Sequence, residues 1–302
     1  GMAVLATPAA AAAAGVGSTA AIDRNVTDEI PSAPTVVGDA ELGIFAESRP
    51  DENVASVSPQ IRLGMRPRDE VELHINFGAV AVFRDGAAGR EQQARPSNLS
   101  FGGSRVFDRR EGQWRYAKVG FGFVIPTAFA VSESERDAYQ YALGGRNGWN
   151  PWLWTPQALG LVVPAEVRAQ AGRRWVLGGD AALAGLLPSA GNTEGVALAA
   201  QVAAQARVVT RRLGLGLRLT AVWNGRHPDD RSQAGISPFV DTSLCRRGHG
   251  RRLKGERAKT SDGCPVYASA RLNINLDGPY GYTGNDAMGV WGVLVGLGWA
   301  VY

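Results

Sequence analysis

From Val54 to Met65 apolar and polar positions alternate with period two. One face reads Ala55, Val57, Pro59, Ile61, Leu63, Met65, and the other Val54, Ser56, Ser58, Gln60, Arg62, Gly64. The cluster Arg66-Pro67-Arg68-Asp69 has turn chemistry, and the alternation then resumes with Val71, Leu73, Ile75, Phe77, Ala79, Ala81, Phe83 against Glu72, His74, Asn76, Gly78, Val80, Val82, Arg84. This predicts a hairpin with arms of 12 or more residues. The same signature covers 161–168, 196–208, 213–223 and 266–277. Weaker versions occur at 37–47, 98–107, 115–127, 174–187, 234–244 and 287–302, which gives twelve strands, with 10 to 14 as the range.

Strands of globular domains average about 5–6 residues, whereas a strand crossing a bilayer at a tilt needs about 9–11. The connections also alternate. Short ones fall near 67–69, 108–113, 171–173 and 209–211; long or Gly-rich ones near 48–53, 85–96, 128–156, 188–194, 225–233 and 278–286. Long amphipathic strands joined by short turns at one end and long loops at the other predict an all-β transmembrane antiparallel up-and-down barrel. The 246–263 segment is a long connection where a short turn is expected, which implies either a miscount by one pair or an insertion closed at its base.

Aromatic residues fall near strand ends, as interfacial girdles require. Phe107, Trp114, Trp175, Trp299 and Tyr302 lie at short-turn ends, and Phe45, Phe83, Phe129 and Trp223 at long-loop ends. The last strand, Trp291-Gly-Val-Leu-Val-Gly-Leu-Gly-Trp299-Ala-Val-Tyr302, resembles the C-terminal assembly signal of Gram-negative outer-membrane β-barrels. Residues 35–302 fit the plan of those porin-like proteins. Tyr302 departs from it by falling out of phase with the apolar face Trp291, Val293, Val295, Leu297, Trp299. The segment Val119-Gly-Phe-Gly-Phe-Val-Ile-Pro126 is also similar to the twelve-strand barrels of the meta-pathway phenol-degradation family. The resemblance implies an outer-membrane location, a lipid environment and recognition by the barrel-assembly machinery.

Composition then refines the picture. The chain is 45% hydrophobic with a mean hydropathy of −0.12, and carries 39 Gly and 8 Trp. No strongly apolar run is long enough for a membrane helix. Net charge is +4, but much of the excess sits in Arg246 to Lys259, which reads as a solvated loop and not as a nucleic-acid surface. Cys245 and Cys264 frame that loop, and an isolated pair in this arrangement implies a disulfide in an oxidising compartment, with two free thiols as the alternative. Residues 1–34, Ala-rich and without a basic start, read as a mobile N-terminal extension ahead of a barrel domain at 35–302.

Candidate chemistry lies on the polar faces, because a barrel of this kind has a polar lumen. The pore-lining candidates are Arg62, Glu72, His74, Arg84, Glu166, Arg168, Arg207, Arg218 and Arg271, with Lys118, Asp39, Glu41 and Asp180 beside them. Their slight basic excess favours small anions or polar solutes. The competing arrangement is mutual pairing that closes a narrow lumen. Loop 128–156 holds Tyr139, Tyr141, Trp149, Trp152 and Trp154, and would form a constriction in the mouth, an aromatic ligand platform or an edge resting on the membrane. A catalytic reading needs a nucleophile with a His base, and His74, His227 and His249 offer no such pair. Neither the residues nor the resemblance calls for a metal or cofactor. The expected function is an uptake pore for small polar or anionic solutes. The alternatives are a closed-lumen surface-binding barrel and a soluble secreted β-sandwich that binds carbohydrate through its Trp-rich loop.

Overall fold

In a computed structural model of the chain, the structure describes residues 35–48, 52–68, 70–86, 89–109, 115–130, 132–172, 174–189, 195–210, 213–225, 232–244, 266–276 and 291–301. The alternating segments form strands Thr35–Ser48 (β1), Glu52–Arg68 (β2), Val71–Gly86 (β3), Gly89–Pro96 (β4), Leu99–Arg109 (β5), Arg115–Ile125 (β6), Ala158–Ala171 (β7), Trp175–Pro188 (β8), Ala197–Val209 (β9), Leu213–Asn224 (β10), Ser232–Ser243 (β11), Val266–Asn275 (β12) and Trp291–Val301 (β13). Each pairs antiparallel with its neighbours, and β1 pairs with both β2 and β13, so the sheet closes on itself. A closed barrel leaves no free sheet edge within the membrane, the condition for β-structure to span lipid.

There are thirteen strands in the sheet but twelve positions around the barrel. β4 and β5 share one position: β4 pairs with Ala79–Gly86 of β3, and β5 with Val71–Asn76. The chain bends between them at Ser97-Asn98, where the Ser97 amide donates to Gly78 O and the Gly78 amide to Ser97 Oγ. The 85–96 stretch expected as a loop is therefore mostly β4, which extends the β3 hairpin past the ends of β6 and β7. Its sequence, Gly-Arg-Glu-Gln-Gln-Ala-Arg-Pro, lacks apolar alternation because it faces no lipid.

The expected faces hold. Leu161, Val163, Leu183, Val202, Leu215, Leu217, Leu219 and Leu297 point outward and are exposed, while Ser58, Arg62, Glu72, Asn76, Gln201 and Thr220 point inward and are buried. This inversion of the soluble-protein rule is what a lipid solvent selects, and it excludes the soluble carbohydrate-binding sandwich. Among the aromatic residues, Phe83, Phe107, Trp175 and Trp223 are outward and exposed, as interfacial residues should be. Phe45 is not: it is 1% exposed, points inward and lies 5.8 Å ring to ring from Tyr141. β13 pairs with β1 without interruption from Ala46↔Trp291 to Val36↔Val301, so no bulge adjusts its phase. Gly298 is required there because a side chain would overlap the inward Tyr267 ring. At the short-turn end, Ser243 pairs with Tyr267 and the Leu244 amide donates to Val266 O, so the long 246–263 connection is an insertion and the strand count stands. Residues 1–34, Trp114, His227, Cys245, His249, Cys264 and Tyr302 lie outside the described residues.

Candidate functional site

The connection between β6 and β7 folds into the lumen and not over the rim. It carries two helices that the sequence pattern did not reveal, Glu133–Gly144 (α1) and Pro151–Trp154 (α2). Ser132 caps α1, accepting from the Glu135 amide while Glu135 reaches back to the Ser132 amide. Such a reciprocal cap satisfies two otherwise unpaired donors at the start of a helix. Trp152, Leu153 and Trp154 are each at most 2% exposed, so this loop is a plug with a core of its own. The wall around it changes character to match. Val54, Val80, Val82, Val124, Val162, Ala184, Leu186 and Val222 all point inward at this level and share one apolar cluster with the plug.

Polar contacts fix the plug to strands all around the barrel. Asn98, at the β4–β5 bend, donates to Trp152 O (2.8 Å) and Thr155 O (2.6 Å) and accepts from the Ala128 amide (3.0 Å). Its own amide donates to Leu153 O at 2.8 Å. Arg146 donates to Glu41 of β1 (3.0 Å) and to Ser58 O of β2 (2.7 Å). Asn147 donates to Ser237 Oγ of β11, and Asn273 and Asn275 of β12 donate to Gly145 O and Gly144 O. On the β3–β4 hairpin, Arg84 binds Asp137, Arg95 binds Glu135, and the Tyr139 hydroxyl donates to Pro96 O. Gly292 of β13 lies against Gly145, where a side chain would come within 2.4 Å of the Gly145 carbonyl oxygen.

Below the plug, toward the short turns, the lumen wall carries charge. Glu72 bonds to Arg62 (3.1 Å), Arg66 (3.0 Å) and Lys118 (3.5 Å). Lys118 continues to Glu166, Glu166 to Arg168, Arg168 to Asp180, and Asp180 to Arg218. One chain of alternating charges thus crosses β2, β3, β6, β7, β8 and β10. Arg207 and Asp241 form a separate pair between β9 and β11. Almost all these groups are buried, and their mutual neutralisation is what makes burial tolerable. Among the described residues, buried basic groups outnumber buried acidic ones.

Every pore-lining candidate lies on an inward face, but they divide by role. Arg62, Glu72, Glu166, Arg168 and Arg218 form the charge chain, with His74 one inward step above Glu72, while Arg207 pairs with Asp241. Arg84 instead docks the plug, with its guanidinium 5.5 Å from the Tyr141 ring centre. Arg271 faces inward on β12, half-buried. Trp149, Trp152 and Trp154 are buried in the plug and do not form an edge resting on the membrane. Sequence reasoning missed Asn98, Arg146, Asn147, Gln201, Asn273 and Asn275. The Ser132/Glu135 cap spacing and the Pro96-Ser-Asn98 break just ahead of the alternating β5 were the available signals. Among the described residues no group of three or more His, Cys, Asp or Glu side chains is placed to hold a metal ion.

No family model and no curated protein matches the chain. Among solved structures it is similar to the COG4313 outer membrane channel from Pseudomonas putida F1, at 12% identity and TM-score 0.56, over 93% of this chain and 100% of that one. The fold is that of an outer-membrane β-barrel. The translocator domain of the autotransporter NalP from Neisseria meningitidis also matches, at 9% identity and TM-score 0.40 over 90% of each chain. The outward apolar band places this outer-membrane barrel in lipid, with the plug and charge chain enclosed by it.

Proposed function

We propose that the barrel is a channel for small polar or anionic solutes whose cross-section is set by the inward-folded plug of residues 126–157. The observation that carries this reading is the two-tier lumen. An apolar wall receives the plug in the long-loop half, and a polar wall with excess basic groups occupies the short-turn half. The similar Pseudomonas barrel is described as an outer membrane channel, which agrees. With basic excess, the interior attracts anions and repels cations. The residues that line the path on this reading are Arg62, Glu72, His74, Glu166, Arg168, Arg207, Arg218 and Arg271, with Trp149 at the underside of the plug.

The dense anchoring of the plug favours a second reading, a closed-lumen barrel with a surface role. Planar-bilayer recording separates the two. The channel reading expects discrete current steps and, under a KCl gradient, a reversal potential of the sign set by chloride. Absence of current at every voltage and salt overturns it in favour of the closed barrel.

A further inference from the structure

At the long-loop end, β13, β1, β2, β3 and β4 border a pocket of about 890 Å³, within the range of about 300–1,000 Å³ usual for small-molecule sites. The strand register sets Trp291, Ala46, Ala55, Phe83 and Gln92 side by side in one row across these five strands. Directly opposed residues of antiparallel strands project to the same face. All five line the pocket, and Phe83 and Trp291 are exposed on the outward face. Arg84 and Glu91, also at the pocket, turn their side chains the other way, to Asp137 and Ser134 of α1. Among the described residues none of α1 or α2 lines the pocket, so it lies on the outer wall and not in the lumen.

The row is concave, with two alanines as a floor between two aromatic rings. Strands lie about 4.8 Å apart, so the positions of Trp291 and Phe83 are about 14 Å apart across that floor. The rows on either side grade from apolar to polar. Ile44, Val57, Ala81 and Val293 form the row toward the membrane centre, and Asn53, Asp85 and Arg90 the row toward the long loops. The pocket therefore sits where the lipid-facing band ends, at the depth of the surrounding headgroups. A lipid of the bilayer is the occupant that this position supplies.

The lining chemistry selects the head. A phosphate only accepts and calls for a cation free to meet it, but Arg90 is already paired with Asp85 at 3.3 Å. A quaternary ammonium needs rings that converge within about 6 Å of it, whereas Phe83 and Trp291 flank a floor three strand spacings wide. A sugar hydroxyl both donates and accepts, and Asn53, Gln92, Asp85 and Arg90 together offer both functions. The two exposed rings supply apolar faces for the C–H surface of the sugar. We propose that this outer-wall pocket binds the sugar head of a glycolipid of the surrounding bilayer, with the acyl chains lying over the Ile44 and Val57 row. The site is independent of whether the lumen conducts.

The test is native mass spectrometry of the full chain released from vesicles of equimolar diglucosyl diacylglycerol, phosphatidylglycerol and phosphatidylcholine with matched acyl chains. Several-fold preferential retention of the diglucosyl lipid is expected. Ala55→Trp fills the floor between the rings, and Gln92→Leu removes an amide while keeping the size of the side chain; each should cut the preference several-fold. Heat-modifiable gel mobility identifies the variants that fold. Loss of the preference in either folded variant sustains the site, and unchanged retention in every folded variant overturns it. Equal retention of the three lipids, or preference for phosphatidylglycerol or phosphatidylcholine, also overturns it. Excess maltose should leave the glycolipid in place; its full displacement by maltose would assign the pocket to free saccharides and overturn the lipid.

Discussion

Asn98→Ala should release the plug without opening the barrel wall. The side chain makes three buried hydrogen bonds, two donated to carbonyls at the end of the plug and one accepted from the Ala128 amide at its start. Alanine cannot replace any of them. A buried backbone group left unpaired costs about 1–3 kcal/mol, so the three together are worth about 3–9 kcal/mol if no water enters. Water will reach part of the vacated space, and the lower end of that range applies. Even about 3 kcal/mol shifts the docked-to-released ratio of the plug roughly a hundredfold. The Asn98 amide still donates to Leu153 O, and the β3 pairings of β4 and β5 do not involve the Asn98 side chain, so the barrel should stay closed. The assays are bilayer recording and limited proteolysis of loop 126–157 in detergent. Longer or larger current steps and faster cleavage in the loop are expected, with heat-modifiable mobility unchanged. A variant with wild-type current and wild-type cleavage would refute the assignment of Asn98 as the anchor.

Three further outcomes follow from other parts of the wall. Glu72→Gln leaves Arg62, Arg66 and Lys118 around a neutral side chain, and removing one partner of a buried ion pair typically costs about 3–5 kcal/mol; the urea midpoint of unfolding from lipid vesicles should fall clearly, and an unchanged midpoint contradicts the charge chain. Gly292→Val forces a side chain against the Gly145 backbone, so it should lift the plug tip and increase conductance with little effect on barrel assembly. Leu217→Arg places a charge on the lipid face and should destabilise the barrel by about 2–4 kcal/mol if that residue sits at the bilayer midplane, whereas Leu217→Phe should be tolerated.

The barrel was legible wherever a strand separates lipid from a polar lumen, as in β2, where Ala55 to Met65 and Val54 to Gly64 fall on opposite faces. Legibility failed at the level of the plug. Val80 and Val82 are apolar on the inward face of β3, so that stretch is apolar on both sides and its alternation fades. The cause is tertiary: an interior plug needs an apolar seat. Phe45 misled for the same reason, since an inward aromatic at a strand end cannot be told from a girdle residue until the plug is placed against it. α1 was hidden because its apolar residues bury on several sides within the lumen and give no single helical stripe. Asn98 carried only the weak signal of a polar break after Pro96. The charge chain was half legible: the alternation identified its members as inward-facing, but their pairing across strands depends on register, which no single strand encodes.

The most direct test of the account compares single-channel currents of the wild type with those of a variant in which residues 132–154 are replaced by a short Gly-Ser linker, both confirmed as folded by heat-modifiable mobility. Small steps are expected for the wild type and severalfold larger, anion-favouring steps for the variant. Equal currents in the two, or no current from the barrel lacking its plug, would contradict it.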